Sequence, residues 1–420
     1  MINSLNVILK MKSLGFRKFS ISNLVKTSTR ATRIFLRKGI LQNLKGLWVS
    51  GEGYFSLMKT IVFRAPNRNS STIHRDLSVL LIVPSDADPR LNNYNGGAKD
   101  IQSMYEQIKS LHISCDVISV SRRTGHALRT LLSDQNRATL YSSKHIVISI
   151  PGSSGGILLC LRLLGLSNLI FRSHNAELLH RLDWLKSSRS FGSFKLSSKK
   201  LLLGSLSDLM VATFATDVLS VSQLEIRVYW NRYFPWVSRK VHYFPGMSPS
   251  HISAIFSAKA PSNFRNSQAM IVGGFQKGTL ISRPDKQFIE HGWKVKDFVH
   301  ANGFSLVSVG DGVSYEFCDT NYGHTNEYET LLRDTSLIIV PSSIGWGFKT
   351  KIADAVTLHQ SIILPRKQYD RLGEWAQMVT PIDNWEEIST LVLKKVGSHE
   401  YEDFIETLRV RREKYLLDLA

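Results

Sequence analysis

LIIVPSSIGWGFKTKIADAVTL, residues 337–358, holds the pattern on which the fold turns. Residues 337–340 form a continuous apolar run stopped by Pro341, as expected of a strand buried on both faces of a parallel sheet. Gly345 and Gly347 then permit a sharp turn, and the residues that follow predict a helix ending near Leu358. The free amides and positive dipole end of such a helix make an anion site. Lys349 and Lys351 add cationic donors suited to a diphosphate. The backbone of Gly347, Phe348 and Thr350 lines the turn, and Asp354, one turn in, is placed to accept from ribose hydroxyls. The competing reading is a plain βα turn with solvated lysines.

Working outward, the same alternation recurs on both sides. Strands are predicted at 270–272, 305–309 and 361–364, and helices at 284–302, 326–333 and over the last thirty residues. Residues 247–267, rich in Ser, Ala, Asn and Pro, read as a linker. Before it stands a second series, opening with the apolar run 77–83 that ends at Pro84. Gly96-Gly97-Ala98 leads into a helix through Ile108. Further strands are predicted at 115–120, 145–150, 169–171 and 241–244, with 208–213 and 218–221 as two short strands or turns. Two such series predict an α/β chain of two facing Rossmann-like domains. The predicted divisions are a basic, mainly helical extension (1–76), a first domain (77–248), a linker (249–267), a second domain (268–390) and a C-terminal helix (391–420). A chain of 420 residues has ample length for two such domains.

The net charge is +19, from 53 Lys and Arg against 34 Asp and Glu. Its placement matters more than its size: residues 1–75 hold fourteen Lys and Arg and the single acid Glu52. A basic arm on a nearly neutral body suits an anionic partner surface, phospholipid or nucleic acid. Within the arm, Leu36, Ile40, Leu44, Leu47 and Trp48 recur at helical spacing, flanked by Arg30, Lys38 and Lys45. Arg33 and Arg37 interrupt the apolar arc, and long basic side chains can snorkel out of it. An interfacial membrane helix, a helix packed on the body, and a targeting peptide all remain open for this segment. The three cysteines are far apart, without metal-ligand spacing, and fit a reducing compartment. The apolar stretch 155–171 carries Arg162 and reads as core, not as a membrane span.

Four further constellations sit where strands end. Asn95-Gly96-Gly97-Ala98 permits close backbone approach to a phosphate or a sugar. Phe171-Arg172-Ser173-His174-Asn175-Ala176-Glu177 follows a strand directly, although polar residues in such a place more often cap a helix. Gly273-Gly274-Phe275-Gln276-Lys277-Gly278 is a glycine turn with a lysine, closing the first strand of the second series. Val309-Gly310-Asp311-Gly312 reads as a tight turn shaped by glycine.

The order of these motifs resembles that of GT-B glycosyltransferases, specifically the retaining family-four group. That family has a glycine pair after its first strand, here Gly96-Gly97, and a His-centred motif in mid-domain, here Arg172-Ser173-His174-Asn175. A Val-Ser segment precedes its interdomain strand, matched by Val221-Ser222 and then residues 241–246. Its second domain carries a Val-Gly-Asp-Gly strand end and a glycine-rich Pro-Ser turn, here residues 309–312 and 341–354. The resemblance covers residues 77–390. More weakly, residues 37–47 and the Glu52-Gly53 region look like leaders of bacterial polysaccharide glycosyltransferases.

The sequence departs from that family at one position of note. Of the family's two glutamates eight positions apart, Asp354 matches the second and Trp346 occupies the first. Phe275 does not match the basic residue often found after that strand, and Lys277 is the substitute. The resemblance implies sugar transfer, with retention, from a nucleoside-diphosphate sugar to a glycan or lipid-linked saccharide acceptor. Catalytic roles fall on His174, Lys277 and Lys349. Substrate contacts fall on Gly96, Gly97, Arg172, Asn175, Gly274, Gly347, Phe348, Thr350, Lys351 and Asp354. No cofactor and no metal are expected. The extension is expected to contact an anionic membrane, placing the protein at the cytoplasmic face, and nucleic acid is not an expected partner. Two rivals stand beside this reading: a catalytically silent binding partner in a membrane assembly, and a nucleic-acid-binding or nucleic-acid-modifying protein.

Overall fold

The computed structural model describes residues 77–91, 96–150, 154–174, 177–186, 191–257, 268–273, 284–310, 314–323, 325, 328–344, 346 and 350–420. The chain separates into two compact units, Met1–Ser71 and Thr72–Ala420, and every described residue belongs to the second. The basic extension, with its apolar spacing from Leu36 to Trp48, lies outside the described residues.

The second unit contains two six-stranded sheets in which every pairing is parallel. The first is built from β1 (Leu77–Pro84), β2 (Cys115–Val120), β3 (Ser143–Ile148), β4 (Leu169–Ser173), β5 (Asp217–Ser220) and β6 (Val241–Tyr243). Their spatial order is β2-β1-β3-β4-β5-β6. The connecting helices are α1 (Gly96–Ser110), α2 (Thr124–Leu131), α3 (Asp134–Ser142), α4 (Ser154–Leu163), α5 (Glu177–Lys186) and α6 (Phe191–Phe214). Val79 through Val83 of β1 have no exposed surface, which is why this run is apolar without alternation. Burying each such side chain contributes about 1.5–3 kcal/mol of transfer free energy.

The second sheet takes β7 (Gln268–Val272), β8 (Ser305–Val309), β9 (Thr320–Asn321), β10 (Thr335–Ile339), β11 (Ser361–Pro365) and β12 (Thr380–Ile382), in the order β12-β11-β10-β7-β8-β9. Counted from β7, this is the strand order of a dinucleotide-binding Rossmann sheet, with its switch point between β7 and β10. Its helices include α7 (Ser250–Ser257), α8 (Gly292–Ala301), α9 (Tyr328–Arg333) and α10 (Thr350–Thr357), and the chain closes with α11 (Ser398–Leu417). The last helix belongs to both halves. Tyr401, Phe404 and Leu408 pack with Ile338 and Ile352 in the second core, whereas Leu416 joins Val79, Ile101 and Phe244 in the first.

Two sequence expectations need correction. Residues 208–213 are not strand or turn but the end of the 24-residue helix α6. A short continuous apolar run fits a buried helix as well as a strand, and here length decides. The expected linker contains α7, whose Ile252 is fully buried in the second core. The helix pair α4 and α6 is held close by Gly155. A Cβ built there would lie 2.6 Å from the Ser207 carbonyl oxygen and 2.8 Å from Met210 Cβ.

Candidate functional site

The carboxyl ends of both sheets are joined by side chains reaching across from opposite halves. Lys99 of α1 meets Asp354 of α10 at 2.6 Å, with 2% of each side chain exposed. The other Asp354 oxygen accepts the Ser248 hydroxyl at 2.6 Å, and the Lys99 ammonium also lies 4.9 Å from the Tyr328 ring centroid. Nearby, the Trp346 N–H donates to His180 Nδ1 of α5 at 3.1 Å. The Arg371 guanidinium stacks over the Trp346 ring, bridges to Asp183 of α5 at 2.6 Å and donates to the Ser343 carbonyl. These contacts hold the turn after β10 against the first domain.

A second cluster forms at the end of β4. Arg172 has no exposed surface and donates two 2.9 Å hydrogen bonds to Asp100. Its other donors reach the carbonyls of Phe244 and Pro245. The guanidinium also lies over the Phe244 ring, as does that of Arg412 from α11. Arg412 is fully buried and donates to Ser103; burial lowers its pKa to about 9, with Asp100 opposing the shift and Arg172 adding to it. Arg172 is therefore a strut between the sheet end and the domain crossover. The expectation that it touches substrate is corrected by its complete burial.

His174 is placed differently. Its Nε2 lies 2.5 Å from the Ser149 hydroxyl, its Nδ1 is 3.4 Å from Asp100, and 14% of its side chain remains exposed. Burial lowers its pKa to about 4, with Arg172 and Arg122 adding to the shift and Asp100 opposing it. The imidazole is therefore neutral at physiological pH. Ser149 immediately follows β3, beside the switch point of the first sheet. The order Ser149–His174–Asp100 has the outline of a nucleophile relay, but Ser149 has no exposed surface, and both Asp100 oxygens are held by Arg172. The geometry denies a substrate access to that hydroxyl. It leaves His174 as a neutral, partly exposed donor or acceptor at the rim.

The remaining expected residues divide sharply. Gly96 and Gly97 begin α1, and Thr350 begins α10. The Lys351 ammonium donates to the Val272 carbonyl at 2.9 Å, so it ties the turn to the end of β7 at the switch point. Asp354 is 1% exposed, and its two oxygens are engaged as described. Asn175, Gly274, Lys277, Gly347, Phe348 and Lys349 lie outside the described residues. Sequence reasoning missed Lys99, His180, Asp183, Ser248 and Arg371, which occupy helices and loops whose mutual approach only the folded chain reveals. The sole local signal was the placement of Lys99 two residues after a glycine pair.

No family model matches this sequence, and neither does any curated protein. Solved structures do. The chain is similar to a UDP-forming α,α-trehalose-phosphate synthase from Burkholderia xenovorans in complex with glucose-6-phosphate, at 12% identity and a TM-score of 0.48, covering 81% of this chain and 99% of that one. It is also similar to Anabaena Alr3699/HepE in complex with UDP, at 12% identity and a TM-score of 0.43, over 80% and 94% of the two chains. A glycosyltransferase from Rickettsia africae matches at 13% identity and a TM-score of 0.41, over 81% and 92%. Likenesses this distant leave function to be read from the residues of this chain.

Proposed function

We propose that this protein is a GT-B glycosyltransferase that moves a sugar from a nucleoside-diphosphate sugar to a saccharide or lipid-linked saccharide acceptor, with retention. One observation carries the reading. The switch point of the second sheet, between β7 and β10, opens toward a first domain that is itself parallel and doubly wound, and side chains from each domain bridge the gap. Ligands of open α/β sheets bind at such crevices beyond the strand ends. The diphosphate is assigned to the turn before α10, where the helix amides, Lys349 and Lys351 lie in sequence. These groups stabilise negative charge on the departing diphosphate as the glycosidic bond breaks. Gly96 and Gly97 approach from the other domain, and neutral His174 offers a hydrogen bond to a sugar hydroxyl. The basic extension holds the protein at an anionic membrane where a lipid-linked acceptor resides.

Calorimetric titration with UDP, GDP and ADP tests the binding half of this reading; UDP comes first because it is the nucleotide in the Anabaena structure. Saturable binding of at least one is expected, weakened in Lys349→Ala, whereas binding of none removes the proposal. A silent binding partner is favoured by one observation. Trp346 stands where the resembled family has an acid, lodged between His180 and Arg371. That reading predicts nucleotide binding without release of nucleotide from any nucleotide sugar.

A further inference from the structure

The carboxylate best placed for a ribose is already taken. Asp354 lies four residues beyond Thr350, where α10 begins, about 6 Å along the helix axis. A diphosphate at the start of that helix therefore brings its ribose to this side chain. One Asp354 oxygen lies 2.6 Å from the Lys99 ammonium, and the other accepts the Ser248 hydroxyl at 2.6 Å. Only 2% of the Asp354 side chain is exposed, and the same fraction of Lys99. A ribose hydroxyl has no path to either oxygen while Lys99 stays in place.

Lys99 reaches this carboxylate from the opposite domain. Its ammonium meets Asp354 and the Tyr328 ring, both in the second half of the chain. The rest of α1 is fastened independently. Arg412 of α11 donates to Ser103 at 2.9 Å, the Glu106 carboxylate accepts the Ser250 N–H of α7 at 2.7 Å, and Gln107 donates to the Arg409 carbonyl at 3.0 Å. These anchors lie about one to two turns farther along α1 than Lys99, so letting go of Asp354 does not undock the helix. A buried ion pair also adds little adhesion between domains. Desolvation offsets most of its Coulomb attraction, and apolar side chains of similar size do as well or better. It does make a reversible plug, because entering hydroxyls replace the ammonium as donors to the carboxylate and the freed lysine regains water.

We infer that Lys99 is a built-in competitor for the donor's ribose, an autoinhibitory contact that keeps the nucleotide site shut until a nucleotide displaces it. The inference rests on the nucleotide-sugar reading and assigns that site its regulation. Apparent affinity is then the intrinsic affinity scaled by the fraction of molecules in which Asp354 is free. Weakening the contact raises affinity, the reverse of what loss of a substrate contact does.

The test is calorimetric titration of UDP, GDP and ADP into the full chain. Lys99→Gln keeps a hydrogen-bond donor beside Asp354 without the charge. It is expected to bind the preferred nucleotide at least about fivefold more tightly than the wild type, while melting at a lower temperature without nucleotide. Tyr328→Leu removes the ring beside the ammonium and leaves both charges in place. It should tighten binding about twofold or more, and it carries the test if Lys99→Gln does not fold. Wild-type affinity in the variants that fold overturns the inference, because a purely structural strut lowers the melting temperature alone. Weaker binding overturns it as well and makes Lys99 a ligand contact. The two readings fail differently. Saturable binding that the variants leave unchanged rejects the competitor and keeps the nucleotide site, whereas no binding by wild type or variants rejects both.

Discussion

Replacing Lys99 with Met, or Asp354 with Asn, removes one partner of an ion pair that joins the two domains. The pair lies at 2.6 Å with 2% of each side chain exposed, so neither charge has water to fall back on. Removing one member of such a pair costs about 3–5 kcal/mol, most of it the desolvation of the charge left behind. The Lys99 ammonium retains its place over the Tyr328 ring, which offsets about 1–2 kcal/mol in the Asp354 variant. Lys99→Met therefore has the larger expected cost. Exchanging both, as Lys99→Met/Asp354→Asn, removes both buried charges and is expected to recover most of the loss. Urea unfolding of the full chain, followed by tryptophan fluorescence and circular dichroism, gives the four corners of the cycle. The coupling energy should exceed about 2 kcal/mol, and the single variants should split the transition as the domains lose cooperativity. Single costs below about 1 kcal/mol, or a double variant that merely sums the singles, would refute the view that this bridge is a buried, desolvated link.

Other predictions follow from neighbouring features. If Asp354 exchanges Lys99 for ribose hydroxyls when donor enters, Asp354→Asn weakens nucleoside-diphosphate affinity while Lys99→Met does not; calorimetry separates the two. Lys349→Ala should cost about 1.5–3 kcal/mol in the same titration as a lost charged hydrogen bond, and wild-type affinity would show that the diphosphate lies elsewhere. Burial pushes the Glu374 carboxyl, which accepts the Tyr243 hydroxyl, up to about 7 against the pull of Arg411. The folded state then holds that proton more tightly than the unfolded chain, so stability falls as pH rises from about 4.5 through 7, by on the order of 2–3 kcal/mol. Glu374→Gln should remove that slope from chemical-denaturation curves, and an unchanged slope would deny the shift. Gly155→Ala forces a methyl against the Ser207 carbonyl and should cost about 1–3 kcal/mol of stability, measurable by the same unfolding.

The alternation of apolar runs and helices made both sheets legible, because strands such as β1 and β10 are buried on both faces and carry no competing pattern. β9 and β12 were not, being two and three residues long at sheet edges, too short for any periodicity. Helix α6 misled because its leucines face outward and its Asp208 inward, the reverse of what burial predicts. At the candidate site, the strand-end positions of His174 and Lys351 were readable, but their partners were not. Ser149 lies 25 residues from His174, and Lys99 lies 255 from Asp354. Arg172 drew attention as a cation at a strand end, yet it serves the crossover between domains, a role set by Asp100 and the Phe244 carbonyl.

The central claim, transfer from a nucleotide sugar, meets its most direct test in nucleotide release. The full chain is incubated with UDP-, GDP- and ADP-sugars, with and without saccharide and lipid-linked acceptors, and the free nucleoside diphosphate is quantified together with any glycosylated product. The account predicts release from one donor class, accelerated by an acceptor, matched by product that retains the anomeric configuration, and reduced in Lys349→Ala. No release from any donor, by protein that nonetheless binds a nucleoside diphosphate, would contradict it and leave the silent partner in its place.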